Sequence, residues 1–491
     1  MPTAVKERIL NLITDAHQKY FEITQFFLDP SVSRSAKELK AFHFLENEIL
    51  HLDSDFSDFP TNVDQLAVWM QKQNKTQCLH YKEYLERREN GSAREFFGTT
   101  SKAYEFLYKV APTKRVDGAW LYSFTQYWND PAFRDFIQIY VEELGLGSSQ
   151  SNHVKLFNKL LLSLGLHQFS MNLPDEYYHQ SAIQLALAYA PSDFIPEIAG
   201  FNFGYEQLPL HLLITNYELK ELGIDSKYFN LHITIDNFDN GHAHLATNAV
   251  MSLAKRYPNQ SEFIRKLKIG FLLNNRGVSS VQIIKNLNTE QVVLDIFKSK
   301  ALVGKHMHNE KCKFKNKSVN SWLSEEDQVE EFILELTKIG WIKLNENPEH
   351  SRFWKMINDE DGKMFGVFSA AEKAFIYDWI AGTNLSRRIN PVNTEYIKNF
   401  IELNDFSYLS EKELLLLQQQ IQISTNTGHK ISKLMPYLAP HQHHQEIGLW
   451  ATQKVVEYIF PFLGALLHKD WKCKAPLIEL NLRCNLGKWS T

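Results

Sequence analysis

Within the stretch YFNLHITIDNFDNGHAHLA, residues 232–242 bring four side chains that could bind a metal ion close together in the sequence. These are His232, Asp236, Asp239 and His242. Apolar residues stand on both sides of them, which predicts a helix that is buried on most faces. Residues at i, i+4 and i+7 lie on one face of a helix, so the first three would face the same way. Because unpaired buried charge is costly, the pattern favours a bound divalent metal. The alternative is a core histidine hydrogen-bonded to an aspartate one turn on.

A second segment upstream, residues 138–166, carries acids and an imidazole in a similar setting. Glu142 and Glu143 precede a glycine-rich break, and His153 then opens an amphipathic helix. Glu143 could instead be an ordinary acid at a helix end, with Glu142 as the alternative ligand. His153 could be no more than the first residue of its helix.

The mostly apolar segment 193–222 carries Glu197 and Glu206. The aromatic and aliphatic flanks of Glu206 favour a metal ligand over a surface glutamate. Glu197 follows a proline in the first turn of its helix, where an acid complements the helix dipole. Three helical segments that supply acids and imidazoles to an apolar setting are typical of dimetal bundles, in which Glu and His project inward from facing helices.

These motifs, in this order, resemble the heme-oxygenase-like diiron oxidases, often called iron-containing redox enzymes. That family has a Glu and a His around its first core helix, a Glu on the second, and His-x3-Asp-x2-His on the third. The segment E-E-L-G-x-G…H places Glu143 and His153 on the first part, and G-F-N-F-G-Y-E places Glu206 on the second. The segment L-H-I-T-I-D places His232 and Asp236 on the third. The resemblance covers roughly residues 95–270.

The chain departs from the family pattern at the last histidine, where it has Asp239. The next histidine, His242, would lie about 15 Å from His232 along an unbroken helix, too far for metals about 4 Å apart. Either Asp239 is the ligand, or Asn240-Gly241 unwinds the helix and brings His242 inward. We favour His242, because iron sites combine imidazole with carboxylate. The metal ligands that the resemblance then implies are Glu143, His153, Glu206, His232, Asp236 and His242.

The resemblance implies a non-heme diiron oxidase or oxygenase that holds two Fe(II) ions, with Mn acceptable in one position. Its partners would be O2 and a small organic substrate, and its reaction N-oxygenation, oxidative decarboxylation or C–C cleavage. The catalytic carboxylates would be Glu143, Glu206 and Asp236. One alternative is a metal-free, heme-oxygenase-like binding or interaction protein. A thiaminase-type enzyme would need a cysteine nucleophile in the core, and no cysteine lies between residues 79 and 311.

The elements that must position these residues are helices. From the N-cap cluster Thr99-Thr100-Ser101 to about residue 268, helical patterns follow one another closely, and strand signals are nearly absent. We therefore predict an all-α protein built around a heme-oxygenase-like bundle, with long helical segments at 193–222 and 225–256. The predicted organisation is a helical extension at 1–94, the metal-binding bundle at 95–272 and a mainly helical C-terminal domain at 273–491.

Composition limits the other possibilities. The 491 residues are 44% hydrophobic and carry a net charge of −4, so we expect a large core and no binding to nucleic acid or membranes. The first thirty residues mix charged with apolar residues, and the four cysteines are scattered. We therefore expect a cytoplasmic protein without a secretory leader, and a homodimer is compatible with this.

Two further histidine clusters lie outside the predicted bundle. The lysine-rich segment 305–317 holds His306, His308 and Cys312 without a fourth ligand for zinc, which favours a solvated loop. The sequence APHQHHQ, with His441, His443 and His444, is interpreted as an exposed turn. We predict that replacing His308 or His443 leaves iron binding unchanged. Short β-prone pieces at 340–344 and 364–368 are predicted to pair as a hairpin.

Overall fold

The computed structural model describes residues 19–52, 58–169, 173–235, 241–382 and 408–463. These residues are overwhelmingly helical, so the predicted all-α class is confirmed. Within them, the one sheet is a hairpin of two short antiparallel strands, β1 (Lys313–Phe314) and β2 (Lys317–Ser318). The hairpin predicted at 340–344 and 364–368 is wrong, because both segments form turns and bends. None of the helices in these ranges is both long and apolar enough to cross a membrane.

The helices that precede the predicted site are α1 (Tyr20–Leu28), α2 (Arg34–Leu50), α3 (Leu66–Glu89), α4 (Thr100–Lys109) and α5 (Ala111–Lys114). The helices of the central region are α6 (Arg134–Glu143), α7 (His153–Ser163), α8 (His179–Ala188), α9 (Ile195–Tyr205), α10 (Leu210–Glu221), α11 (Lys227–Ile235), α12 (His242–Ala254) and α13 (Gln260–Leu273). A 3-10 helix, Ala119–Tyr127, lies between α5 and α6.

The helices that follow are α14 (Ser280–Lys285), α15 (Thr289–Gly304), α16 (Val319–Trp322), α17 (Glu326–Lys338), α18 (Arg352–Asn358), α19 (Ala370–Ala381), α20 (Tyr408–Ile423), α21 (Thr427–Leu434) and α22 (Glu446–Ile459). Local sequence accounts for several of their starts. The Thr99 hydroxyl accepts a hydrogen bond from the Lys102 N–H at the start of α4, and the Asn152 side chain caps α7 in the same way. Both are side chains that N-caps prefer.

The long helical segments predicted around the site are each divided. The segment 193–222 ends its first helix at Tyr205 and begins its second after Pro209, because proline cannot continue the hydrogen bonding of a helix interior. In the segment 225–256, Gly241 is extended (φ −99°, ψ −163°) and α12 begins at the next residue. The helical patterns at 193–222 and 225–256 are therefore each interrupted, and the interruption at Gly241 agrees with the favoured interpretation, in which the helix is broken before His242.

Buried apolar side chains form two clusters, and both extend across the predicted domain boundaries. The first cluster joins α1–α3, much of the central region and the C-terminal helices α20–α22. The second joins α4, α7, α10 and α11 to α15 and α17–α19. The residue ranges of the three domains stay a prediction. The central helices that carry the predicted site contribute to both clusters, so the site lies where the two meet.

Candidate metal centre

Two groups of buried acids and imidazoles lie side by side and share one residue. In each group, the side-chain atoms that could bind a metal all lie within 4.8 Å of one another. The first group consists of Asp117, Glu143, His153 and His232, and the second of Glu143, Glu206 and His242. The shared glutamate places the groups next to each other.

Glu143 and His153 are brought together by a tight reversal of the chain. Glu143 is the last residue of α6 and His153 the first of α7. Between them, Gly145 and Gly147 adopt positive φ angles of 66° and 84°, which glycine tolerates without a steric penalty. One carboxylate oxygen of Glu143 thereby lies 2.5 Å from Nδ1 of His153.

In the first group, Tyr228 orients two of the side chains. The Nδ1–H of His232 donates to the backbone carbonyl of Tyr228 at 3.0 Å, and the hydroxyl of Tyr228 donates to Oδ2 of Asp117. A neutral His232 with its proton on Nδ1 then presents the lone pair of Nε2 to the same Oδ2, at 3.1 Å. Two acceptors this close need a proton or a cation between them.

In the second group, too, an imidazole lies among more carboxylates than its N–H donors can serve. Nδ1 of His242 lies 3.1 Å from Glu206 and 3.3 Å from Glu143, whereas Nε2 lies 2.8 Å from Glu142. A neutral imidazole has one N–H donor, so one of its nitrogens faces a carboxylate as an acceptor. This geometry again calls for a protonated ring or a bound cation.

Electrostatics keep the central carboxylates ionised. Burial disfavours the charged form of Glu143, but His153 and His242 outweigh it and hold the pKa of Glu143 well below its ordinary value. Burial likewise opposes ionisation of Asp117, while Lys114 and His232 hold the pKa of Asp117 below its ordinary value. A carboxylate must be deprotonated to bind a metal, and the lowered pKa values favour that state for Glu143 and Asp117.

The donor set suits the metal that the sequence predicts. Three buried carboxylates and three imidazoles combine hard oxygen ligands with nitrogen ligands, a mixture that Fe(II) and Mn(II) accept. The half-buried Lys114, whose ammonium lies 5.6 Å from the ring of Tyr205 and 5.7 Å from that of Tyr228, offsets part of the negative charge of these acids and lowers the pKa of Asp117. A divalent cation would supply the missing charge.

Five of the six predicted ligands meet in these two groups, namely Glu143, His153, Glu206, His232 and His242. Asp236 and the alternative ligand Asp239 lie outside the described residues. Glu142 belongs to neither group, although it contacts His242. The role of each residue as a ligand stays a prediction.

The sequence reasoning missed Asp117. This residue precedes Gly118 in the sequence RVDGAW, and Asp-Gly pairs usually mark turns. Its apolar neighbours Val116, Ala119 and Trp120, all buried, were the available signal. A Cβ at Gly118 would lie 2.8 Å from the Cβ of Glu143, so the missing side chain lets this turn pack directly on the centre.

The interpretation of APHQHHQ as an exposed turn is wrong for His443, whose exposed fraction is 1%. Its Nδ1 lies 3.2 Å from the side-chain nitrogen of Asn152, the residue before His153. In the basic segment, His306 and Cys312 are exposed. Neither belongs to a metal-binding group among the residues described.

Residues 104–268 match the sequence profile of a protein family described as iron-containing redox enzyme. The predicted family is confirmed over this stretch. The fold of these residues is therefore the heme-oxygenase-like helical bundle, and both groups lie entirely within it. The match covers about a third of the chain, ending before α14. Searches of curated proteins and of solved structures gave no match.

Proposed function

We propose that the protein binds two iron ions in the two buried groups and uses them to oxidise a small organic substrate with O2. The observation that carries the proposal is the position of Glu143. It belongs to both groups, and its two carboxylate oxygens lie near His153 and His242 respectively. A carboxylate that could serve both groups fits the dimetal sites that helical bundles build from Glu and His on facing helices.

The alternative of a purely structural ion-pair cluster accounts less well for these contacts. Buried ion pairs offset their desolvation only when acids and bases match and are fully hydrogen-bonded. Here the acids of both groups surround imidazoles that each have one donor in the neutral state, and Nε2 of His232 faces Asp117 as an acceptor. Two divalent ions would neutralise the carboxylates and accept the lone pairs of the imidazoles.

Bound iron would supply the reduction of O2 and the oxidising power, since such chemistry belongs to the cofactor. The role of the chain's own residues is to bind the metals and to orient the side chains that hold them. Tyr228 fixes the ring of His232 through its carbonyl and the carboxylate of Asp117 through its hydroxyl. Phe157 packs against Tyr228, with ring centroids 5.0 Å apart, and keeps water from this side of the first group.

The test is metal stoichiometry followed by oxygen consumption. The protein is loaded with Fe(II) without air, freed of unbound metal and analysed, and we expect close to two irons per chain. Adding O2 should then oxidise them in a rapid phase that the metal-free protein lacks. His308→Ala, on the basic segment, is the matched control and should keep both irons. A single tightly held zinc, or no metal after anaerobic loading, would contradict the proposal and favour a metal-free interaction protein.

A further inference from the structure

A C-terminal segment outside the family match packs against the metal centre. Helix α22 lies on the turn between Glu143 and His153. A Cβ at Gly147 of that turn would lie 2.5 Å from the carbonyl oxygen of Leu449 and 2.7 Å from the backbone nitrogen of Gln453. The turn and α22 are thus in backbone contact.

The loop before α22 makes a polar contact with the same turn through His443. The side-chain nitrogen of Asn152 is a donor, so Nδ1 of His443 accepts its hydrogen bond at 3.2 Å. The neutral His443 ring therefore carries its proton on Nε2. Burial, reinforced by His444 and His441, holds the pKa of His443 well below its ordinary value, which keeps the ring neutral. At Gly448, a Cβ would lie 2.5 Å from the Cα of His443, so a side chain there would displace the loop.

Asn152 links the two ends of the turn. Its side-chain oxygen accepts from the N–H of Lys155 at 3.0 Å and so caps the helix that begins with His153. Its side-chain nitrogen also donates to the carbonyl of Leu144, the residue after Glu143, at 3.3 Å. One amide thus contacts the flank of each candidate ligand, and His443 accepts its remaining hydrogen bond.

We propose that His443 is a positioning residue of the metal centre, which acts through Asn152 to hold Glu143 and His153 in register. This replaces the prediction from the sequence that changing His443 leaves iron binding unchanged. The inference rests on the proposed function and extends it, because it makes the C-terminal segment part of the site. Without an acceptor at position 443, the side-chain nitrogen of Asn152 keeps only its long bond to Leu144, and the amide is held less firmly by this bond and the one from Lys155. Residues that orient metal ligands typically change metal affinity by about 10–100-fold when they are replaced.

The test compares two substitutions at one position. His443→Leu removes the acceptor, whereas His443→Asn retains a side-chain acceptor oxygen at nearly the same distance from the backbone. His444→Leu is the matched control, since this half-buried neighbour lies against His443, with ring centroids 5.4 Å apart, but is not among the described residues that hydrogen-bond to the Asn152 side chain. The affinity for Fe(II) and the visible absorption spectrum of bound Co(II) are measured for each variant, together with the thermal stability of the metal-free protein.

We expect His443→Leu to weaken metal binding at the first group by about 10–100-fold and to change the Co(II) spectrum. His443→Asn should restore most of the affinity, and His444→Leu should resemble the wild type. Unchanged affinity and spectrum in His443→Leu would overturn the inference, whatever its thermal stability. Equal losses in the Leu and Asn variants would overturn it as well.

A double-mutant cycle tests the route through Asn152. Asn152→Ser keeps a good N-cap but lacks the amide donors, so it should reproduce the loss of affinity seen in His443→Leu. The double variant should be no weaker than either single variant, since interacting residues are not additive. Additive losses would contradict the proposal that His443 acts through Asn152.

If His443→Leu does not fold, Asn152→Ser and His443→Asn still decide the question. A wild type that binds no metal would refute the proposed function itself, whereas an unaffected His443→Leu would refute only this inference.

Discussion

The two groups of the candidate metal centre differ in what holds their side chains. In the first, Tyr228 bonds both to Asp117 and to His232, so two candidate ligands are fixed by one residue in the interior of the fold. In the second, Glu206 caps the end of α9 and His242 is the first residue of α12. Both groups draw on helix ends, since Glu143 ends α6 and His153 begins α7, but the first group also contains the hydrogen-bonded network around Tyr228.

This difference implies that metals bound at the two proposed positions would not be equivalent. Ligands that are already oriented lose less conformational freedom on binding, and so bind more tightly. We expect the first position to hold its metal more firmly and the second to exchange more easily. Of the two, the second is then the position in which Mn would more readily replace Fe.

The largest effect should come from the residue that both groups share. Glu143→Gln removes the charge that would join the two positions, so we expect loss of both irons. Glu197→Gln is the matched control, because this glutamate is as buried as Glu143 (exposed fractions 4% and 3%) but pairs with Lys266, at 3.4 Å. Iron per chain is measured after anaerobic loading. One iron retained by Glu143→Gln would show that Glu143 serves a single position.

A loss of one iron is expected when the second group alone is altered. His242→Ala should keep the metal of the first group and lose the other, because His242 belongs to the second group only. Asp239→Asn, measured beside it, should keep both irons. The opposite result, with two irons in His242→Ala and one in Asp239→Asn, would assign the last ligand to Asp239.

A smaller change is expected from the residue that organises the first group. Tyr228→Phe retains the ring and the backbone carbonyl but removes the hydroxyl that donates to Asp117. We expect the affinity of the first position to fall by about 10–100-fold, with the second position unchanged. Tyr205→Phe should have less effect, since its hydroxyl lies 3.5 Å from the other oxygen of Asp117, beyond a good hydrogen bond. Competition with a metal chelator measures both. Equal losses of metal affinity in the two variants would show that the Tyr228 hydroxyl does not orient the first group more than the Tyr205 hydroxyl does.

How far the sequence predicts this centre depends on how local each signal is. The apolar neighbours of His232 and Glu206 and the N-cap cluster at Thr99 are local patterns, and each led to a correct expectation about a buried side chain or the start of a helix. Asp117 lies in a turn whose Asp-Gly pair has an ordinary explanation, and only packing against Glu143 distinguishes it from other turns.

His443 was misjudged for a related reason. Its partner Asn152 is 291 positions away, and no local pattern tells a histidine in a polar loop from one that is buried by a distant helix. Polar surroundings in the sequence predict exposure only where no other element covers the loop. Here α22 and the turn at Gly147 cover it. Tertiary contacts of this kind, rather than residue type, decide which histidines are buried beside the candidate metal centre.

The smallest effect concerns how firmly the second group is held. Gly204 lies in the last turn of α9, and a Cβ there would lie 2.5 Å from the Asn274 amide and 2.9 Å from the ring of Phe271. Gly204→Ala gains about 1 kcal/mol in helix propensity but costs about 1–3 kcal/mol in overpacking, so a small net loss of stability is expected. Because Glu206 follows two residues later, the second position should weaken by a few-fold while the first is unaffected. Gly98→Ala, where a Cβ meets nothing within 4 Å, is the control. Equal weakening of both positions in Gly204→Ala would mean that the two groups move as one unit, and any difference in metal affinity between them would then not depend on how firmly the end of α9 is held.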